Sequence, residues 1–134
     1  MASIRKEFTV AAEASRVWDA FRDVGNVHTR LAPGFVTDCR LDGDARIVTF
    51  ANGFVARELI VDLDDAARRL AYSARSERLQ HHNASFQLFE AGHSTRIVWL
   101  ADVLPHAAAA TVSAMMDAGV AAMSKTLAAH SQPA

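Results

Sequence analysis

The side chains able to do chemistry in this chain are few and scattered. Six histidines, His28, His81, His82, His93, His106 and His130, include no pair four apart on a helix. The adjacent pair His81-His82 must diverge on a strand, so no metal site is expected. Cys39 has no histidine near it in sequence and no Gly-x-Ser-x-Gly elbow occurs, which argues against a nucleophilic enzyme. Such a cysteine reads as a small buried hydrophobe. Neither Gly-x-Gly-x-x-Gly nor a Walker-type loop is present, so no nucleotide cofactor is indicated, and no other cofactor is expected. Proton transfer remains. A carboxylate or an imidazole among apolar groups can serve as general acid or base, and Glu58 and His82 are the two candidates.

Strand alternation says where such groups point. In Gln80–Glu90, His82 is in phase with Ala84, Phe86 and Leu88, which turns it inward and sends His81 outward. Tyr72 shares a face with Leu70 and Ala74, and Trp99 shares one with Ile97 and Ala101. A buried phenol needs a partner, which a ligand carbonyl can supply. In Phe54–Leu63 the alternation is undecided: Phe54, Ala56, Glu58 and Ile60 lie on one face, Val55, Arg57, Leu59 and Val61 on the other. The competing readings are plain core packing for the aromatic residues, a rim position for His82, and a cross-strand salt bridge or solvation for Glu58.

The elements that hold these residues follow from periodicity and turn chemistry. Ile4–Val10 alternates as a half-buried strand. Ala14, Val17, Phe21 and Val24 recur at helical spacing, Gly25 suits a left-handed residue after that helix, and Val27–Ala32 reads as a second short helix ended by Pro33-Gly34. Phe35–Leu41, Arg46–Ala51, Phe54–Leu63, Arg68–Arg75, Gln80–Glu90 and Ser94–Val103 read as six further strands, with Asn52-Gly53 suited to a two-residue type I′ turn. Pro105 to His130 predicts one helix of about 25 residues, roughly 37 Å long. Its Val112, Met115, Met116, Gly119, Val120, Met123 and Leu127 share one side, and Lys125 and His130 suit its C-terminal end.

Composition narrows the partners. The chain has 134 residues, 14 Lys+Arg against 15 Asp+Glu, and 51% hydrophobic residues. It reads as one domain over residues 1–134, with a frayed tail at 131–134. A near-neutral balance offers no electrostatic footprint for nucleic acid or an anionic membrane. The opening MASIRKEFTV lacks an apolar signal region, Asp117 and Lys125 interrupt the longest apolar tract, and the single cysteine suits a reducing compartment. Cytoplasm is therefore the expected location, without membrane insertion. A homodimer is compatible with the sequence, which holds no feature arguing for one.

Strand, two short helices, six strands and a long helix predict an α+β fold in which a curved seven-stranded antiparallel sheet wraps the C-terminal helix. One helix cannot fill the concave face of so wide a sheet, which leaves room for large side chains or a pocket. Met115, Met116 and Met123 suit an irregular apolar wall.

At this point the chain resembles a known superfamily. Ala14-Ser15-Arg16-Val17-Trp18, Asp23-Val24-Gly25-Asn26, Pro33-Gly34, Asn52-Gly53 through Arg57-Glu58, Arg69-Leu70-Ala71-Tyr72, and Ser94 to Trp99 continuing to Leu104-Pro105 resemble, in order and spacing, the START-like, Bet v 1-like helix-grip proteins. The resemblance is to their bacterial polyketide cyclase/dehydrase group. A departure is Arg30-Leu31-Ala32, where relatives often carry a tryptophan before the proline. The resemblance implies a cavity between sheet and helix that takes lipids, hormones or polyketides, and it implies that Glu58 faces that cavity. The expected function is binding of a small hydrophobic, aromatic or polyketide-like ligand by Glu58, Tyr72, His82, Phe86, Trp99, Met115, Met116 and Met123. The alternative is a cofactor-independent cyclase or dehydratase with Glu58 and His82 as catalytic residues. A third class, an interaction module, would need an exposed apolar patch and no pocket.

Overall fold

The computed structural model describes residues 2–129; His130 and the expected tail at 131–134 lie outside the described residues. Strand β1 (Ala2–Val10) precedes helix α1 (Ala14–Arg22) and a π-helical turn, Val27–Leu31. Strands β2 (Val36–Asp42), β3 (Ala45–Phe50), β4 (Val55–Asp64), β5 (Arg69–Arg75), β6 (His81–Ala91) and β7 (Ser94–Leu104) follow, and a 3-10 turn at His106–Ala108 leads into α2 (Ala109–Ala129). The seven strands form one antiparallel sheet in the order β1-β7-β6-β5-β4-β3-β2. Thus β2 to β7 are a meander, and β1 returns to pair with the last strand, Ala2 opposite Val103 through Val10 opposite Thr95. This is the expected sheet around a long helix.

Two irregularities help the sheet curl. The register shifts between Val36 and Asp38 on β2 and between Ile60 and Asp62 on β4, and an extra residue in one strand bends it and increases its twist. Helix α1 buries Ala14, Val17, Trp18, Ala20 and Phe21, with Phe21 against Phe86 at a centroid distance of 4.9 Å. Trp18 Nε1 donates to Asp65 Oδ1 at 2.8 Å and Arg22 Nε reaches the same oxygen at 2.9 Å, which ties α1 to the β4–β5 turn.

Two turn expectations are corrected. Asn52-Gly53 is not a type I′ turn: Gly53 has φ of 87°, whereas Arg68 is the sole non-glycine with positive φ among the described residues. The loop instead has three residues, Ala51, Asn52 and Gly53. Gly53 N–H donates to Phe50 O at 2.9 Å, Phe50 N–H donates to Phe54 O at 2.8 Å, and Phe54 N–H donates to the Asn52 side chain at 2.9 Å. The asparagine thus stabilises the turn through its carboxamide oxygen rather than by adopting a left-handed backbone. Gly25 is likewise not left-handed. Its lack of a side chain matters for space, since a Cβ there would stand 3.0 Å from Leu41 Cγ.

Helix α2 buries Met116, Gly119, Met123 and Leu127 against the sheet. Lys6 on β1 holds its flank, with Nζ 2.8 Å from Asp117 Oδ1 and 2.9 Å from Ser113 Oγ. By length and composition His106–Ala129 is apolar enough to cross a membrane, which corrects the expectation that Asp117 and Lys125 rule this out. In this fold it is the helix that the sheet grips, and its apolar content is divided between the sheet side and an alanine-rich outer side.

Candidate functional site

Between the concave face of the sheet and α2 lies a partly open cavity of about 110 Å³. Its lining is apolar except for Arg46, Glu58, Tyr72 and His82, and all eight expected site residues are among the side chains that form it. Phe86 and Trp99 come from β6 and β7; Met115, Met116 and Met123 come from α2.

Alternation along β4 resolves as Ala56 and Glu58 buried, with Val55, Arg57 and Leu59 exposed, so Glu58 faces the cavity. It is not alone there. Arg46 stands directly opposite it on β3, and Arg46 Nε donates to Glu58 Oε1 at 2.8 Å with side-chain exposures of only 4% and 10%. The carboxylate expected among apolar walls is therefore one half of a buried cross-strand ion pair. Arg46 Nη1 also reaches Val24 O at 3.4 Å, and its guanidinium carbon lies 5.3 Å from the centre of the Tyr72 ring.

Tyr72, Phe86 and Trp99 form an aromatic row across three strands. Phe86 stacks on Trp99 at 4.5 Å and on Tyr72 at 6.0 Å between ring centroids. Trp99 Nε1 donates to the Tyr72 hydroxyl at 3.0 Å. That bond satisfies the indole and occupies one lone pair of the phenol, whose own proton has no acceptor among the described residues. Burial, then the charge of Glu58, pushes the Tyr72 phenol well above the ordinary phenol range and keeps it protonated.

His82 sits where the sheet parts. The β5–β6 ladder ends at Tyr72 opposite Ala84, although β5 runs on to Arg75 and β6 begins at His81. Side chains close the gap: Ala74 N–H donates to His82 Nδ1 at 3.2 Å, and Ser73 Oγ donates to His82 O at 2.9 Å. An acceptor at Nδ1 places the proton of the neutral ring on Nε2. Burial holds the imidazole below its ordinary value against an opposing pull from Glu58, which favours that neutral form. His81 is exposed, as alternation requires.

Several lining residues escaped the sequence reading. Arg46 is the most consequential. Phe35, Phe50 and Phe54 complete the wall, and Gly119 lets α2 approach the sheet, since a Cβ there would lie 3.1 Å from Trp99 Cζ3 and 3.2 Å from Phe35 Cε2. Phe35, Phe50 and Met115 also border an open outer groove of about 560 Å³ that runs past Ala51, Asn52, Ala110, Ala114 and Ala118. Cys39 is buried, its Sγ 3.5 Å from Val24 O, and burial pushes its thiol up, away from the reactive thiolate. Among the described residues no three His, Cys, Asp or Glu side chains are grouped to hold a metal.

The fold is shared with solved structures. Protein XoxI from Bacillus cereus superposes with a TM-score of 0.86 at 14% identity, over 99% of this chain and 100% of that one. A START superfamily protein from Mycobacterium smegmatis gives 0.73 at 13% identity over 96% of each chain. Norcoclaurine synthase from Thalictrum flavum, solved with a transition-state analogue, gives 0.69 at 18% identity over 98% of this chain and 96% of that one. At these identities what is common is the fold. No curated protein matches in sequence. The family model for polyketide cyclase / dehydrase and lipid transport matches residues 1–130, and the chain belongs to that family, whose fold is built to bind hydrophobic ligands.

Proposed function

We propose that this protein binds a small, mainly apolar molecule, aromatic or polyketide-like, in the cavity between sheet and α2. The supporting observation is the cavity lining itself, aromatic and methionine-rich with four polar side chains converging on one region, the usual composition of a small-molecule site. Phe86, Trp99, Met115, Met116 and Met123 supply apolar contact, and Tyr72, His82 and Glu58 fix orientation. Cytoplasm is the proposed setting, in line with one buried free cysteine. Native mass spectrometry of the purified protein tests the reading. The expected result is a population heavier by the mass of one small molecule that is released on denaturation. A protein that carries nothing and takes up no aromatic probe overturns it.

A second reading is a cofactor-independent cyclase or dehydratase, favoured by the presence of His82 and Glu58 in one cavity. The Arg46 pair weakens it, because Glu58 must leave that ion pair to accept a proton. His82→Gln separates the two: lost turnover with retained binding marks an enzyme, and altered binding alone marks a carrier.

A further inference from the structure

The polar end of the cavity has a sign as well as a position. Its charged pair, Arg46 with Glu58, is internally compensated at 2.8 Å, so the chamber carries no net charge to offer an ion. A carboxylate brought to Arg46 would also be brought against the Glu58 carboxylate, in a setting where desolvation already opposes ions. The two remaining polar groups are donors. Tyr72 accepts from Trp99 and keeps its proton to give, and His82 accepts at Nδ1 and keeps its proton at Nε2. The two rings lie 5.8 Å apart, and both line the chamber. Size adds a limit: an apolar cavity of roughly 150 Å³ holds benzene, and this one, at about 110 Å³, is smaller, so a single ring is the most it takes.

We propose that the chamber selects a ligand head no larger than one ring that carries a neutral oxygen acceptor, such as a ketone, and discriminates against the matching carboxylate. The oxygen takes hydrogen bonds from Tyr72 and His82, and any bulkier remainder lies in the outer groove past Phe50 and Ala114. This rests on the cavity being the ligand site. Because burial favours the neutral imidazole and the protonated phenol, both groups donate without adding charge to the chamber.

Titration calorimetry at pH 7 with toluene, acetophenone and benzoate, three probes of one ring with an apolar, a neutral acceptor and an anionic head, tests it. Acetophenone is expected to bind at least about tenfold tighter than benzoate, with toluene also bound. In Glu58→Gln, which leaves Arg46 uncompensated, benzoate is expected to gain at least about tenfold relative to acetophenone. If that variant does not fold, the comparison in the unaltered protein decides alone. Benzoate equal to or tighter than acetophenone there, with toluene still bound, overturns the head-group assignment and leaves the cavity as a ligand site. Failure of toluene and acetophenone alike overturns both.

Discussion

Trp99 on β7 donates its indole proton to the hydroxyl of Tyr72 on β5 at 3.0 Å, reaching across β6, where Phe86 lies against both rings. The bond joins two strands that are not neighbours and fixes the orientation of both aromatic walls. Tyr72→Phe removes the acceptor and leaves a buried N–H without one. It is expected to lower stability by about 1–3 kcal/mol, read as a shift in the urea midpoint at unchanged slope.

The Arg46–Glu58 pair predicts an asymmetric pair of outcomes. Glu58→Ala strands a guanidinium that is buried in the folded protein, and the expected loss is about 3–5 kcal/mol. Removing both charges in Arg46→Met with Glu58→Leu is expected to recover most of that loss. Denaturant titration of the single and double variants closes the cycle; a double variant no better than the single would contradict the assigned cause.

His82 predicts a pH dependence with a definite sign. The unfolded chain takes up a proton at this residue near 6.5, and the folded chain does so at a lower pH because burial opposes the charge. Between the two values the unfolded state holds more protons, so stability rises with pH. The contribution is fully present above 6.5 and is lost as pH falls through the folded value. Protonation also takes from Ala74 N–H its acceptor at Nδ1. An NMR titration of the His82 ring should give a midpoint below 6.5, and the acid-side loss of stability should be smaller in His82→Phe.

Gly119 sets the depth of the cavity. Any side chain there meets Trp99 and Phe35 within about 3.1–3.2 Å of its Cβ. Gly119→Leu is expected to overpack the space between helix and sheet, lowering the melting temperature through a loss of about 1–3 kcal/mol and abolishing uptake of an aromatic probe. Calorimetry with and without the probe measures both.

What the amino-acid sequence by itself determined was the element order and the inward set. The two-residue alternation through Tyr72, His82, Phe86 and Trp99, and the helical spacing of Met116, Gly119, Met123 and Leu127, reflect local geometry that every strand and helix must obey. The number of strands and the single long helix left room between them, and whether side chains filled that room or lined a cavity was decided by the packing. What only the tertiary structure decided was register. A two-residue turn at Asn52-Gly53 would set Ile47 opposite Glu58, whereas the three-residue loop shifts the hairpin by one and sets Arg46 there. A slip of one residue exchanges the two faces of a strand, so the choice between an isolated carboxylate and a buried ion pair rested on the length of this loop. The donor character of His82 was equally hidden, because it depends on where the β5–β6 ladder stops and on the Ala74 amide that the gap leaves to be satisfied. Such pairings join residues distant in sequence, and local periodicity holds no information about the distance between them.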